Sequence, residues 1–241
     1  MKPWLVVFIL VAFFVVIFGI RIILLFIDLQ QFTAYWRTES ARQIEPSKNE
    51  LIYLALGDSA AQGLGASQPT NGYVGQFAQK LAKQTGRPVR TINLSVSGAV
   101  IADVIAGQVE QIQQYKPDVI TLDIGGNDIR TFDAKRFTKE MNTLMSKLPA
   151  PAIMSDLPYF GGRDQLPGFG SGESERRVVE ANAILHDLAP KHGLVLANLH
   201  HFTQERNGRD ITNYAVDYFH PNDKGYRAWT EAFWSAYSAR T

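Results

Sequence analysis

Residues 51–63 read Leu-Ile-Tyr-Leu-Ala-Leu-Gly-Asp-Ser-Ala-Ala-Gln-Gly and pass from a short apolar run straight into Gly57, Asp58 and Ser59. An apolar run of this length that closes on glycine has the form of a strand buried on both faces. Four more short apolar runs share it: Pro88–Leu94, Val119–Ile124, Ala152–Ser155 and Leu194–Leu199. Between and after them lie stretches with helical spacing, Tyr73–Thr85, Ile101–Tyr115, Ala134–Leu148, Ser174–His192 and Asp223–Ala239. Strands alternating with helices imply βαβ units and a parallel sheet covered on both faces. Right-handed crossovers then give an α/β protein, a three-layer α/β/α sandwich around a five-stranded parallel sheet.

In an open parallel sheet, ligands bind beyond the carboxyl ends of the strands. The segments that follow the five strands therefore share one rim: Gly57–Gly65, Ser95–Gly98, Gly125–Asp128, Asp156–Gly172 and His200–Pro221. Ser59 leads the first of them. Alone it reads as a helix N-cap, because a serine needs a neighbouring base before it becomes a useful nucleophile. The last segment supplies one in Asp217-Tyr218-Phe219-His220-Pro221. Pro221 biases His220 away from helix, and a bent chain lets Asp217 turn back to the imidazole Nδ1–H. His220 Nε2 is then left to take the Ser59 proton. Gly98 and Asn127 offer donors to a substrate oxygen, the first through its backbone N–H and the second through its side-chain amide. With the Ser59 N–H they make a three-donor oxyanion hole. Each alone reads as turn chemistry.

The four segments together resemble the SGNH hydrolases, also called the GDSL lipase/esterase family, from Leu51 to the C-terminus. The residues that carry the resemblance are Ser59, Gly98, Asn127 and His220, with Asp217 three before the histidine; Ala60 replaces the Leu of the family name. The resemblance implies a flavodoxin-like sandwich and a serine esterase that works through an acyl-enzyme. Ser59 would be nucleophile, His220 base then acid, and Asp217 the orienting carboxylate, with Ser59, Gly98 and Asn127 as oxyanion hole and no cofactor. The substrate would be a small-molecule, lipid or glycan ester. Acyl transfer or deacetylation at O-acyl groups of the cell envelope uses the same residues, and a non-catalytic tethered binding module is the remaining alternative. No Gly-x-Ser-x-Gly elbow occurs, which disfavours the ordinary α/β-hydrolase fold.

Ahead of this domain, every residue from Trp4 to Ile20 is apolar or glycine, and the run resumes after Arg21 to Ile27. As a helix it spans roughly 25–36 Å, which brackets a hydrocarbon core of about 30 Å. A cleaved signal peptide fits less well, since its apolar region is shorter and no A-x-A-like site follows. The expected organisation is a transmembrane anchor over residues 1–29, a stalk over 30–50 and the hydrolase domain over 51–241, outside the cytoplasm. The 241 residues carry a formal net charge of +1 and no cysteine. Disulfides, thiolate catalysis and cysteine metal sites are excluded, and no basic cluster speaks for nucleic acid. His200 and His201 lack metal-site partners, His186 and His192 read as solvated, and Arg130 as a surface cation. Asp156–Gly172, rich in Gly and Pro and carrying Tyr159, Phe160 and Phe169, is expected as a lid over the rim.

Overall fold

A computed structural model describes residues 2–41, 49–161, 172–206 and 210–240. Five parallel strands, β1 (Leu51–Gly57), β2 (Val89–Asn93), β3 (Val119–Asp123), β4 (Ile153–Ser155) and β5 (Val195–Ala197), form one sheet in the order β2-β1-β3-β4-β5. Leu51 pairs with Val89 on one side of β1, and Tyr53 with Val119 on the other. The expected three-layer parallel sandwich is therefore the observed one. The chain leaves β1 towards β2 and later crosses back to β3, so the carboxyl end of β1 is the switch point where open sheets form their crevice.

The alternation of side chains along a strand divides the core in two. Leu54, Leu56, Ile92 and Leu122 face the layer built by α6 (Ala134–Ser146) and α7 (Glu173–Leu188), meeting Met141, Leu144 and Leu185. Tyr53, Ala55, Val119 and Ile153 face α3 (Tyr73–Thr85) and α9 (Tyr226–Ser238), meeting Phe77, Trp229 and Phe233. Each such apolar side chain stabilises the fold by about 1.5–3 kcal/mol. The Tyr53 hydroxyl enters the core because Thr121 Oγ1 meets it at 2.7 Å.

Three elements differ from their sequence reading. The stretch expected as one helix over Ile101–Tyr115 is a turn of helix (α4, Ile101–Asp103), a π segment (Val104–Gln108), a 3-10 turn (Val109–Gln111) and a final turn (α5, Ile112–Tyr115). Within it, the Gln108 amide donates to Gly57 O and accepts from Gly57 N–H, each at 2.8 Å, so the widened turn aims a side chain at the end of β1. The run Leu194–Leu199 closes earlier, and Leu199 opens a helix of its own (α8, Leu199–Arg206). Asn198 starts it, its carbonyl accepting from Phe202 N–H and its side-chain oxygen from His201 N–H.

The third is α1 (Pro3–Ala41), which is continuous and shows no break where anchor was expected to give way to stalk. Nearly all its large side chains from Trp4 to Ile20 point outward, whereas Phe32 and Trp36 are buried in the α3–α9 layer. Ser40 Oγ accepts from Asn93 N–H of the edge strand β2 at 3.1 Å. The helix is long and apolar enough to cross a membrane, and its second half packs on the sheet. Residues 42–48 of the expected stalk, and 162–171 of the expected lid with Phe169, lie outside the described residues.

Candidate active site

Ser59 sits at the switch point because Gly57 turns the chain there. Gly57 has φ +143, and a Cβ on it would lie 2.2 Å from Asp123 O. Asp58 then caps a single helical turn, α2 (Ser59–Gln62), by accepting from Ala60 N–H at 2.9 Å. The turn closes on Gly63, and the chain passes under the last rim segment at Gly65. There φ is +95, and a Cβ would meet Pro221 O at 2.6 Å and His220 Cβ at 2.8 Å. The missing side chain is what lets the two ends of the sequence touch.

The last segment is a tight turn built around Asp217. Its Oδ1 accepts from Phe219 N–H at 2.9 Å and His220 N–H at 3.0 Å, and its Oδ2 accepts from His220 Nδ1–H at 2.5 Å. Tyr218 between them takes φ +56, uncommon for a residue with a side chain. Ala215 and His220 close the turn through backbone bonds, and Tyr214 bridges to Pro221. With Nδ1 holding its proton for Asp217, His220 Nε2 is the acceptor facing Ser59 Oγ, at 2.9 Å. Burial raises the Asp217 carboxyl, but the hydrogen bond and charge of His220, with the two backbone N–H groups, outweigh it and hold the group below its ordinary value. Ser59, Asp217 and His220, read separately from the sequence, thus form one connected chain along which a proton can leave the serine.

The donors are placed less simply. The backbone N–H groups of Ser59 and Gly98 have no acceptor among the described residues. Asn127, at the head of the 3-10 turn that follows β3, instead commits its amide nitrogen to Asp58 Oδ2 at 3.0 Å and Ala99 O at 2.9 Å. Its amide reaches a substrate oxygen only by giving up one of these. Sequence reasoning did not foresee this competition with Asp58. It also missed Gln62, whose Nε2 donates to Ser95 O at 3.0 Å while its Oε1 accepts from Ser97 Oγ at 2.5 Å. Gln62 thereby holds the Gly98 loop beside the serine turn. The only signal was its position one helical turn after Ser59.

A cavity of about 40 Å³ opens at the serine, lined by Ala60, Asn127, Phe160, Phe219, His220 and Trp229 together with Asp58 and Asp123. Asp123 accepts from Ser155 Oγ and Trp229 Nε1, each at 3.0 Å. Burial pushes its carboxyl up to about 6 against those bonds. Asp58 is pushed up to about 8, first by burial and then by the charge of Asp123, with the Ala60 N–H opposing. A carboxyl raised in the folded state keeps its proton where the unfolded chain has released it. Its contribution to stability is therefore full below the unfolded value near pH 4 and fades as pH rises through about 8. Asp58→Asn keeps the cap and removes the acid but loses the acceptor for Asn127, so its melting temperature relative to wild type should rise by several degrees between pH 4 and pH 9. Parallel curves in a thermal-unfolding series across pH would show that Asp58 does not carry this proton.

The remaining candidates lie outside the cavity. His186 Nε2 meets the buried Asp156 at 3.0 Å with half its side chain exposed, so it is less solvated than its sequence setting suggests. His200 Nε2 meets Glu175 at 2.8 Å, and Glu175 also accepts from Phe160 N–H, which fixes one cavity wall. Hydrogen bonding to Glu175 holds the His200 imidazole above its ordinary value despite burial. His192 pairs with Asn142, His201 faces Glu205 at 3.5 Å, and Arg130 is exposed.

Comparison with known proteins bears on this geometry. Residues 55–228 match the model of the GDSL-like Lipase/Acylhydrolase family. Among solved structures, the chain is similar to LAE5, an alpha/beta hydrolase enzyme from the metagenome of Lake Arreo, Spain, with TM-score 0.63 and 19% identity over 79% of this chain and 96% of that one. It is similar to Axe2, an acetylxylan esterase from Geobacillus stearothermophilus, with TM-score 0.60 and 20% identity over 79% and 94%. It is also similar to the psychrotrophic esterase EstA from Pseudoalteromonas sp., in a structure inhibited by monoethylphosphonate, with TM-score 0.58 and 20% identity over 78% and 97%. No curated protein sequence matches. At these identities the structural likenesses establish the fold, and the family match covers most of the chain.

Proposed function

The chain belongs to the GDSL-like lipase/acylhydrolase family and is a carboxylic ester hydrolase, and from that premise we propose that Ser59, His220 and Asp217 are its catalytic triad. The observation that carries this reading is the unbroken chain Asp217 Oδ2–His220 Nδ1 at 2.5 Å and His220 Nε2–Ser59 Oγ at 2.9 Å. His220 takes the Ser59 proton as Oγ attacks the ester carbonyl carbon. The carbonyl oxygen becomes an oxyanion, met by the N–H groups of Ser59 and Gly98 and by the Asn127 amide once that turns from Asp58 or Ala99. His220 then gives its proton to the leaving alkoxide, and the alcohol departs. Water, activated by the same imidazole, releases the acid and restores the serine. Asp217 keeps the tautomer and steadies the imidazolium.

The acyl side of the substrate is short. The cavity at Ser59 is lined by Phe160, Phe219 and Trp229, whose apolar surfaces suit a small apolar acyl group. Along the series p-nitrophenyl acetate, butyrate, octanoate and palmitate, kcat/KM should be highest at acetate or butyrate and fall by about tenfold or more at octanoate. A profile that rises towards palmitate would overturn this choice of acyl group, and no hydrolysis of any member would overturn the triad. The outward apolar face of α1 over Trp4–Ile20 supports a further part of the reading, that the enzyme is held on a bilayer and meets its ester there.

A further inference from the structure

Helix α1 touches both halves of the proposed triad. Trp36 Nε1 donates to Gln62 O at 2.9 Å, at the end of the turn that carries Ser59. Some fifteen residues earlier, or roughly 22 Å along the helix, Arg21 reaches the loop that carries Asp217 and His220. Its Nη1 donates to the Tyr218 hydroxyl at 3.2 Å and lies 3.4 Å from the Val216 carbonyl oxygen, and its guanidinium stands 5.6 Å from the centre of the Tyr218 ring. Between these two contacts the helix and the loop are parted by a groove of about 530 Å³, lined by Asp28, Gly65, Tyr214, Val216 and Lys224. Arg21, one to two turns before Asp28 on the helix, bridges from helix to loop.

The residue it grips is the strained one. Tyr218 holds φ +56 between Asp217 and His220, so its backbone sets the direction in which the histidine leaves the turn. A conformation unfavourable for a side-chain-bearing residue persists only where its surroundings hold it. Arg21 is also the only charged residue between Pro3 and Ile27, so with Trp4–Ile20 as the span it stands at the headgroup edge of that span. A guanidinium on an aromatic ring is weak in water and stronger where water is scarce. Val216 and Tyr218 beside it are themselves exposed and apolar in part, at 49% and 39%. The contact therefore strengthens when the helix is seated in a bilayer.

We propose that Arg21 is a positioning residue for His220, bracing the Tyr218 turn from the membrane surface and so coupling ester turnover to insertion of α1. This rests on the assignment of His220 and on α1 as an anchor. The test uses the full chain in phosphatidylcholine vesicles with p-nitrophenyl butyrate, comparing wild type, Arg21→Ala, Arg21→Lys, Tyr218→Ala and the double variant Arg21→Ala with Tyr218→Ala. Arg21→Ala should lower kcat about tenfold with KM little changed, and Arg21→Lys should recover most of the loss. The double variant should be no slower than the slower single variant, since both remove one contact. Backbone hydrogen exchange over residues 214–221 should quicken in Arg21→Ala while that of α3 stays unchanged, a readout independent of any substrate. Unaltered exchange in that loop, or losses in kcat that multiply in the double variant, would overturn the proposal. An inactive wild type whose loop still responds to Arg21→Ala would count against the triad and not against the brace.

Discussion

Ser59→Ala is expected to lose about 10⁴–10⁶-fold in kcat towards a short p-nitrophenyl ester, with KM changed little. The magnitude follows from what the hydroxyl does in the structure. Its oxygen is the atom of the serine side chain that meets His220, and among the described residues lining the cavity it is the only hydroxyl. Alanine keeps the helical turn, because Asp58 supplies the cap and Ser59 N–H remains in place. The fold and the cavity should thus survive, and unfolding measured beside activity should show it. Asp217→Asn is expected to fall almost as far, because an amide at that position permits the wrong imidazole tautomer. A Ser59→Ala protein that keeps more than about a tenth of wild-type turnover would remove Ser59 from the chemistry.

Gly57→Ala is expected to be the most damaging single substitution for stability. The added methyl would lie 2.2 Å from Asp123 O and 3.1 Å from Ala61 Cβ, at a φ of +143. The backbone cannot move aside. Gly57 N–H is held by Gln108, and Gly57 O accepts from both Gln108 and Val96 N–H. A clash with backbone joined to a forbidden φ belongs to the class of changes that cost about 4 kcal/mol or more. For a domain of this size that lowers the melting temperature by about 10 °C or more. Gly107→Ala is the matched control. It lies in the π segment with open space around its Cβ position and an ordinary φ, and should melt within about 2 °C of wild type. Equal melting of the two variants would mean that the end of β1 is not packed as described.

The strands and the parallel order were legible because a strand buried on both faces must be apolar at nearly every position, as Leu51–Leu56 and Val119–Leu122 are. The rim was legible for a topological reason: once the sheet is parallel, the residues after each strand share one edge. What could not be read is held by contacts between residues far apart in sequence. Gln108 looks like a solvated helix residue until its amide is seen on Gly57. Phe32 and Trp36 lie in a stretch of mixed polarity that reads as a stalk, yet both are buried, because the edge strand β2 and the serine turn offer them a surface. Asn127 illustrates the limit within the site itself. Its place in the chain pointed to a substrate oxygen, and nothing in the sequence marked Asp58 as a competing acceptor.

That competition also bears on how the site meets its substrate. If the Asn127 amide must leave Asp58 or Ala99 to reach the oxyanion, its stabilisation appears only as the charge develops, which is where it speeds the reaction. The raised Asp58 carboxyl belongs to the same arrangement, since a carboxyl that holds its proton grips the amide less strongly than a carboxylate.

The most direct test of the central claim is the site of phosphonylation. The full chain in detergent is treated with a fluorophosphonate, digested and mapped by mass spectrometry. A single adduct should fall on the peptide that contains Ser59, formed by Oγ displacing fluoride, and it should vanish in Ser59→Ala and fade strongly in His220→Ala. An unlabelled wild type, or an adduct on another residue that persists in Ser59→Ala, would contradict the account.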